Sequence, residues 1–213
     1  MRSFSVTHYF TLETMFETFP QLTTERLELI EIKKTHLIDF FNLFRDERVA
    51  FHYQIIPFKE VKDAQIYLDL FEFRLKRETG IRWGIALKGF TEIIGTIGFN
   101  SFQRNHTGNL AYDLQFNFWN RGYATEAARA VLEYGFDHLQ IRRVEADVVI
   151  GNTASDRVLV KLGFKFDGAV PTRMYWNGSY YDKKVFSLSR EDFNRRGEER
   201  DSGNVFREPL PEF

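Results

Sequence analysis

The chain has 213 residues, which is enough for one large domain or two small ones. Its 29 Lys and Arg against 30 Asp and Glu leave a formal charge of −1, so no cationic surplus exists to hold a nucleic acid nonspecifically. The absence of cysteine excludes a disulfide framework, a thiolate zinc site and a cysteine nucleophile. Because the N-terminus lacks a signal-peptide core and no stretch has the apolar length of a membrane span, we expect a soluble, cytoplasmic protein without nucleic-acid or membrane partners.

The sequence predicts one domain with an extension at each end, because it contains no repeat, no Gly/Ser-rich or Pro-rich linker and no shift in composition. The first extension covers residues 1–20 and the domain covers 21–190. Residues 191–213 contain the charged run Arg195–Asp201 followed by two prolines, a composition typical of a solvated or partly disordered tail.

Hydrophobic periodicity alternates between about two and about 3.6 residues along the domain, which indicates strands mixed with helices. In chain order the pattern predicts a strand over 27–32, helices over 34–45 and 61–77, strands over 82–87, 93–99 and 109–116, a long helix over 122–138, a strand over 144–150, a short helix over 154–162 that ends at Gly163, and strands over 164–170 and 183–188. This order favours an α/β fold in which helices pack on a mixed sheet.

The turn before the long helix is the first candidate site. Trp119–Glu126 joins a strand to that helix. The first N–H groups of a helix have no intrahelical partner and lie at the positive end of its dipole, so such a turn favours an anion. Gly122 leaves room for a phosphate, and Arg121 adds a positive charge. From these residues alone, an ordinary strand-to-helix turn explains the pattern equally well.

Four segments carry a resemblance to a known family, and they are Thr24–Leu29, Ile93–Phe99, Trp119–Glu126, and Asn152–Ser155 with Val158–Phe164. In residue type, order and spacing they closely resemble the GCN5-related N-acetyltransferases (GNAT), in particular the branch that includes the bacterial ribosomal-protein N-terminal acetyltransferases. The resemblance spans about residues 20–190. It implies the GNAT fold, a mostly antiparallel sheet that splays at the cofactor site, with helices on both faces.

The resemblance further implies acetyl-CoA as cosubstrate and no metal. The family's Q/R-x-x-G-x-G/A turn matches Trp119–Ala124, although Trp119 replaces the usual Gln or Arg. The strand ending near Phe116 is then expected to splay from the strand over 144–150, so that pantetheine pairs with backbone in the gap. The residues implied in cofactor binding are Leu114, Gln115, Phe116, Arg121, Gly122, Tyr123, Ala124, Thr125, Asn152 and Ser155.

Two residues are implied in the chemistry. By resemblance, Ser155 faces the CoA sulfur and donates a hydrogen bond to the departing thiolate, because Leu159 stands where many relatives carry a tyrosine. Asp113 is expected to act as the base, through a bridging water, because relatives in this branch often carry Glu in this strand. A solvated strand carboxylate is the alternative for Asp113, and an N-terminal helix cap is a compatible role for Asn152.

A backbone N–H near Leu114 or Phe116 is the expected oxyanion donor.

Other polar and aromatic residues carry weaker signals. The five histidines, His52 among them, show no metal-ligand spacing, and we expect surface or capping roles for them. Five further residues either line an acceptor pocket or, as is usual in a Phe-rich chain, belong to the core: Tyr53, Trp83, Asn100, Tyr175 and Trp176.

The expected activity is acetyl transfer from acetyl-CoA to a primary amine, foremost the α-amine of a protein or peptide N-terminus. Direct attack in a ternary complex is expected, since no cysteine can form an acetyl-enzyme. A small-molecule amine such as an antibiotic or a polyamine is an alternative acceptor, and a noncatalytic acyl-CoA-binding regulatory protein is an alternative function. Dimers are common among relatives, so a homodimer is a further expectation.

Overall fold

The computed structural model describes residues 18–53, 55–103, 105–176 and 179–201. Over these residues the strands are β1 Leu22–Thr23, β2 Leu27–Glu31, β3 Ile81–Leu87, β4 Ile93–Phe102, β5 Thr107–Leu114, β6 Arg143–Val149, β7 Lys165–Trp176 and β8 Ser179–Ser189. The helices are α1 Leu37–Arg45, α2 Glu47–Tyr53, α3 Val61–Lys76, α4 Tyr123–His138, α5 Thr153–Leu162 and α6 Arg190–Asp201, with short 3-10 turns at Lys34–His36 and Phe116–Phe118.

Every element that the periodicity predicts is present, with ends shifted by a few residues. Two short elements were not predicted, the two-residue β1 and the seven-residue α2. The α2 helix begins directly after α1 because Asp46 separates them: its carboxylate accepts the Arg48 backbone N–H at 3.0 Å, as a helix cap does. Two turns are too few for a hydrophobic period to show in the sequence.

The first part of the predicted charged tail forms a helix that is held by one buried residue. Residues Arg190–Asp201 form helix α6, and Phe193, only 8 % exposed, packs its ring 5.3 Å from that of Phe136. The Arg190 guanidinium also donates to the Phe136 carbonyl and to Asp137. One buried aromatic residue therefore holds this segment, and a single apolar position gives no periodic signal. The residues after 201 lie outside those described.

The sheet has the strand order β1-β2-β3-β4-β5-β6-β8-β7, and its pairs are antiparallel except for β5 with β6. The parallel pairing joins only Thr107–Asn109 to Arg143–Glu145. Beyond it the two strands separate, while β4 stays paired to β5 as far as Leu114 and β8 stays paired to β6 as far as Val149. The expected mostly antiparallel sheet with a splay between these two strands is confirmed.

Helices cover both faces of the sheet, as expected. On one face Ala127, Ala128 and Val131 of α4 are buried against the sheet. The helix lies close to it because Gly135 has no side chain: a Cβ there would come within 2.6 Å of the Phe99 ring. On the other face a second core packs α1 and α3 around the Phe40 ring. Across the described parts of the chain, no helix combines the length and the apolarity that crossing a membrane requires.

Candidate active site

A cavity of about 670 Å³ opens where β5 and β6 separate. Backbone and side chains of both strands line it, from Asn109 to Leu114 and from Ala146 to Val149. The turn before α4 and the start of α5 line one half, which we call the α4–α5 half. Helices α2 and α3 with the end of β4 line the other, the α2–α3 half. The gap in the sheet thus connects its two faces.

The turn before α4 offers free backbone donors to the cavity. Gly122 is the N-cap residue, with a left-handed φ of 82°. The first N–H bonded within this helix start is that of Glu126, which donates to the Gly122 carbonyl at 3.0 Å. The N–H groups of residues 123–125 therefore have no partner inside the helix. The left-handed conformation favours glycine, and a Cβ there would also come within 3.3 Å of the Arg26 guanidinium.

The first residues of the domain hold this turn in place. The Glu126 carboxylate accepts hydrogen bonds from the Thr24 hydroxyl at 2.6 Å and from the backbone N–H and Nε of Arg26 at 2.9 and 2.7 Å. Arg26 also donates to the Arg121 carbonyl at 3.0 Å. Burial raises the pKa of Glu126, but these hydrogen bonds outweigh it and keep that pKa below its ordinary value. The Thr24–Leu29 segment, which carries part of the family resemblance, thus supplies the side chains that hold the turn in position.

Three of the expected cofactor-binding residues turn their side chains elsewhere. The Arg121 guanidinium lies over the Phe118 ring, outside the cavity lining. Gln115 donates its side-chain amide to the Ile93 carbonyl at 3.1 Å, and Phe116 is 42 % exposed beneath the Arg48 guanidinium. Any contact that these residues make with a ligand in the cavity would therefore come from the backbone. The remaining expected residues line the cavity: Leu114, Gly122, Tyr123, Ala124, Thr125, Asn152 and Ser155.

Trp119, at the unusual first position of the turn motif, caps the end of β5. Its indole Nε1 donates to the Leu114 carbonyl at 2.7 Å, and its ring packs 5.1 Å from that of Phe116. Strand β6 no longer pairs with β5 at Leu114, so the indole satisfies a carbonyl that the splay leaves open. The residue has a structural role at the top of the gap, and its ring forms part of the cavity wall.

Two hydroxyl groups meet in the α4–α5 half. Asn152 is the N-cap of α5, and its side-chain oxygen accepts the Ser155 backbone N–H at 3.1 Å. The Ser155 Oγ lies 2.7 Å from the Tyr112 hydroxyl oxygen. Burial raises the pKa of Tyr112 well above its ordinary value, so this phenol stays protonated.

Sequence reasoning missed Tyr112 as a site residue. It alternates with Leu110 and Leu114 along β5, on the face that packs into the core. A buried tyrosine hydroxyl normally needs a hydrogen-bond partner. A tyrosine between two leucines on a buried strand face therefore predicts a nearby hydrogen-bond partner for its hydroxyl group.

Asp113, the predicted base, lines the cavity and lies in a buried ion pair. Its side chain is only 4 % exposed and lies 2.5 Å from the Arg82 guanidinium. Thr96 donates its backbone N–H to the same carboxylate at 2.9 Å and its hydroxyl at 2.9 Å. Burial raises the pKa of Asp113, against the opposing effects of Arg82 and Thr96. A proton taken up by Asp113 would remove the negative charge of its buried ion pair with Arg82.

The expected acceptor-pocket residues divide between pocket and core. Tyr53 and Asn100 line the α2–α3 half, whereas Trp83 is fully buried in the core. Tyr175 and Trp176 belong to β7, but their side chains lie outside those described. His52 also lines this half.

The cavity is electropositive overall. Of the described residues that line it, Arg74, Arg157, Lys161 and Lys183 are cationic, and Asp113 and Asp147 are anionic. Arg82 neutralises Asp113, and Asp147 lies 3.6 Å from Lys183. Arg157 and Lys161 lie one turn apart on α5 and leave a positive surplus in the α4–α5 half, which suits an anionic ligand. No group of three or more potential metal ligands occurs within the described ranges.

Comparison with known proteins finds acetyltransferases, both by a family model and by sequence identity. A family model described as "Acetyltransferase (GNAT) domain" matches residues 26–165. The chain is 34 % identical over 171 residues to the Bacillus subtilis protein named "Uncharacterized N-acetyltransferase YoaA", covering 80 % of this chain and 97 % of that protein.

Solved structures share the fold at lower sequence identity. A GNAT-family acetyltransferase from Bacillus anthracis matches with a TM-score of 0.70 and 21 % identity, over 81 % of this chain and 99 % of that one. The ribosomal L7/L12 α-N-protein acetyltransferase RimL, in complex with coenzyme A, matches with a TM-score of 0.70 and 19 % identity, over 78 % and 95 %.

Proposed function

The chain belongs to the GNAT acetyltransferase family and is an N-acetyltransferase of that type, and we propose that it acetylates a primary amine, foremost the α-amine of a protein or peptide N-terminus. The observation that carries this proposal is the gap between β5 and β6, through which one cavity reaches both faces of the sheet. A thioester can occupy the gap from the α4–α5 half while an amine approaches from the α2–α3 half. Two substrates in one cavity suit direct transfer.

Acetyl-CoA fits the α4–α5 half. The free N–H groups of residues 123–125 and the positive end of α4 suit its diphosphate, and the glycine at 122 keeps that approach open. Arg157 and Lys161 add positive charge on the same side. The unpaired stretches of β5 and β6 offer backbone groups to the amides of pantetheine, as a sheet edge does to an added strand.

The chemistry requires stabilisation of the carbonyl oxygen and of the departing thiolate. When bound, acetyl-CoA supplies an activated acetyl group. A backbone N–H near the end of β5, at Leu114 or Phe116, is the proposed oxyanion donor. Ser155 is the proposed hydrogen-bond donor to the sulfur. Tyr112 supports this role because its phenol, 2.7 Å away, can donate to the Ser155 Oγ and leave the serine proton free to point into the cavity.

The charges favour a peptide α-amine over a polyamine. A polyamine carries several ammonium groups and needs several carboxylates to bind it. Among the described residues of the α2–α3 half, Asp113 is the only carboxylate, and Arg82 already neutralises it. Arg74 and aromatic rings such as Tyr53 and Phe71 make up much of the remaining wall. A peptide has one ammonium group and further polar and apolar contacts, which this wall can provide. RimL, by its name, acts on such an amine.

Cofactor binding is tested by Gly122→Glu, measured by isothermal titration with acetyl-CoA. We expect near-complete loss of binding, because the glutamate side chain would place a carboxylate where the diphosphate lies. Gly89→Glu is the matched control, since Gly89 has almost the same left-handed φ, 84°, in a turn with nothing within 4 Å of its Cβ position. Both variants carry the same backbone penalty, so equal binding by the two would contradict the proposal.

Acceptor identity is tested with the wild-type protein and a mixed library of peptides with free N-termini, polyamines and amine antibiotics. Mass spectrometry should detect an added acetyl group on peptide α-amines. Acetylation confined to the polyamines or antibiotics would replace the proposed acceptor by a small molecule. Tight binding of acetyl-CoA without transfer to any member would favour a noncatalytic acyl-CoA-binding protein.

A further inference from the structure

Arg74 is an unpaired cation in the wall of the α2–α3 half. It lies on α3, is half-buried and lines the cavity. No ion pair joins it to a carboxylate within the described parts of the chain, whereas Lys76 on the same helix is paired with Glu72 at 2.5 Å. A guanidinium keeps its charge in a protein at any working pH, so this side chain presents a permanent positive charge to the cavity. An anionic group of a bound molecule can therefore pair with it.

The side chains of α3 that line the cavity form one stripe, which we call the α3 stripe. They are three or four residues apart, as neighbours on one face of a helix are: Tyr67, Leu70, Phe71 and Arg74. The Phe71 ring lies 5.3 Å from the guanidinium carbon of Arg82, and Arg82 lies 2.5 Å from Asp113 on β5. Arg74 follows Phe71 by three residues, which is about 4.5 Å along the helix axis. The unpaired cation is therefore only a short distance from the β5 wall.

The polar groups near Arg74 also favour a ligand that accepts hydrogen bonds. The side-chain oxygen of Asn100 accepts a hydrogen bond from Arg82 at 3.0 Å, so the NH2 group of this amide is left as a donor. Burial raises the pKa of Tyr67, so its hydroxyl keeps its proton and can donate. The Asp113 carboxylate is already bonded to Arg82 and to Thr96. The α2–α3 half thus offers free donors, while its carboxylate and amide oxygens within the described residues are occupied.

We propose that Arg74 binds a carboxylate of the acceptor, supplied by an aspartate or glutamate side chain within the first three residues of a peptide; this inference rests on the proposed transfer to a peptide α-amine. Each extended residue spans about 3.3–3.6 Å, so a peptide whose amine lies beside β5 brings one of these residues to the α3 stripe. A guanidinium can hold a carboxylate through two parallel hydrogen bonds, which adds direction to affinity. Arg74 determines specificity and takes no part in bond making.

The same charge disfavours acceptors with a second cation. A lysine or arginine side chain near the peptide N-terminus would lie beside an unpaired guanidinium, and Arg82 already neutralises the carboxylate of Asp113. Repulsion of the wrong ligand contributes to specificity as much as attraction of the right one. The expected order of acceptors is therefore acidic, then neutral, then basic.

The experiment measures kcat/KM for C-terminally amidated peptides that carry glutamate, glutamine or lysine at one of their first three positions and are otherwise identical. In the wild type we expect glutamate to be preferred over glutamine about tenfold at one of these positions, the effect of one charge-assisted hydrogen-bonded pair, with lysine the poorest. Arg74→Gln should bring the ratio of glutamate to glutamine close to one. Arg74→Glu should reverse the order, so that the lysine peptide becomes the best acceptor. Each ratio compares peptides within one variant, so a general loss of activity does not affect it.

Arg77→Glu is the matched control, because Arg77 is the C-cap of the same helix but lies over the Phe73 ring and outside the cavity lining. This variant should keep the wild-type order of acceptors. Thermal unfolding of each variant checks that it is folded.

The outcomes separate this inference from the proposed function. Equal kcat/KM for the three kinds of peptide in the wild type, or an order that Arg74→Glu leaves unchanged, overturns the role of Arg74 while peptide acetylation stands. Free amino acids are assayed alongside, because their α-carboxylate is the other source of the same group. Transfer to free amino acids alone would overturn both this inference and the peptide acceptor, and absence of transfer to every amine would overturn the proposed activity itself.

Discussion

At the scale of single residues, the Tyr112–Ser155 pair is where a small change should separate chemistry from binding. The two oxygens are 2.7 Å apart, and Tyr112 also lies 3.3 Å from the Ser155 carbonyl. Burial keeps the phenol protonated, so it can donate to Ser155 throughout the working pH range. The pair gives the serine hydroxyl a defined direction, although Ser155 alone would contact the sulfur.

Tyr112→Phe should lower kcat about tenfold, which corresponds to one hydrogen bond of about 1.4 kcal/mol, and leave the Kd of acetyl-CoA unchanged. Steady-state kinetics and titration calorimetry measure the two quantities. The double variant Tyr112→Phe/Ser155→Ala should be no slower than Ser155→Ala alone, because the phenol acts through the serine. Tyr134→Phe is the control, because Tyr134 packs against Trp83 and does not line the cavity. Additive losses in the double variant would argue against this coupling.

Residue roles were predictable only where they depend on local sequence. The N-cap at Asn152 follows from its position before a helix, and the structure confirms it. The partner of Asp113 could not be foreseen, because Arg82 lies 31 residues away and meets it only through the pairing of β3, β4 and β5. The place of His52 depends on α2, a helix too short to leave a periodic pattern.

At the scale of elements, the turn between β1 and β2 is joined to α4 at the point where the cofactor is expected to bind. The Glu126 carboxylate links the start of α4 to Thr24 and Arg26, and the Arg26 guanidinium lies 4.6 Å from the Tyr123 ring. The link fixes the direction in which the free N–H groups of the turn point. A rigid turn binds a diphosphate at a lower entropic cost than a loose one.

Glu126→Gln should lower the free energy of unfolding by about 1 kcal/mol at neutral pH, because the pair with Arg26 is partly exposed. It should also weaken acetyl-CoA binding severalfold. The pKa of Glu126 is lower in the folded than in the unfolded chain, so its contribution is complete above the unfolded value of about 4.3 and is lost as the pH falls through the folded value.

Urea unfolding at several pH values measures this difference. The two stability curves should be separated at pH 7 and converge towards pH 3. Glu133→Gln is the control, since Glu133 lies on the same helix and burial raises its pKa. Its ionised form is therefore destabilising in the fold, so Glu133→Gln should have the opposite sign: a more stable variant at neutral pH, with the advantage lost on acidification. A Glu126→Gln difference that is constant with pH would show that the carboxylate charge does not contribute.

At the scale of the whole molecule, the main feature is the gap between β5 and β6 in the centre of the sheet. Each strand keeps its other neighbour along its length, so the sheet remains continuous through β4 and β8 while its centre opens. The family resemblance predicted this opening, whereas hydrophobic periodicity could not. The alternation of residues along a strand is the same whether or not the strand is hydrogen-bonded to an adjacent one.

The open gap gives a prediction for hydrogen exchange. Backbone amides that face the gap, within residues 110–114 of β5 and 146–149 of β6, have no strand partner there, whereas those of Thr107–Asn109 lie in the paired stretch. The gap-facing amides should exchange faster than the paired ones in the free protein. Acetyl-CoA should slow them selectively, because pantetheine would supply the missing acceptors and exclude water.

Exchange with and without acetyl-CoA, measured by NMR so that individual amides are resolved, tests this prediction. The Gly122→Glu variant should show no slowing, whereas unchanged exchange in the wild type at saturating acetyl-CoA would mean that the ligand does not occupy the gap.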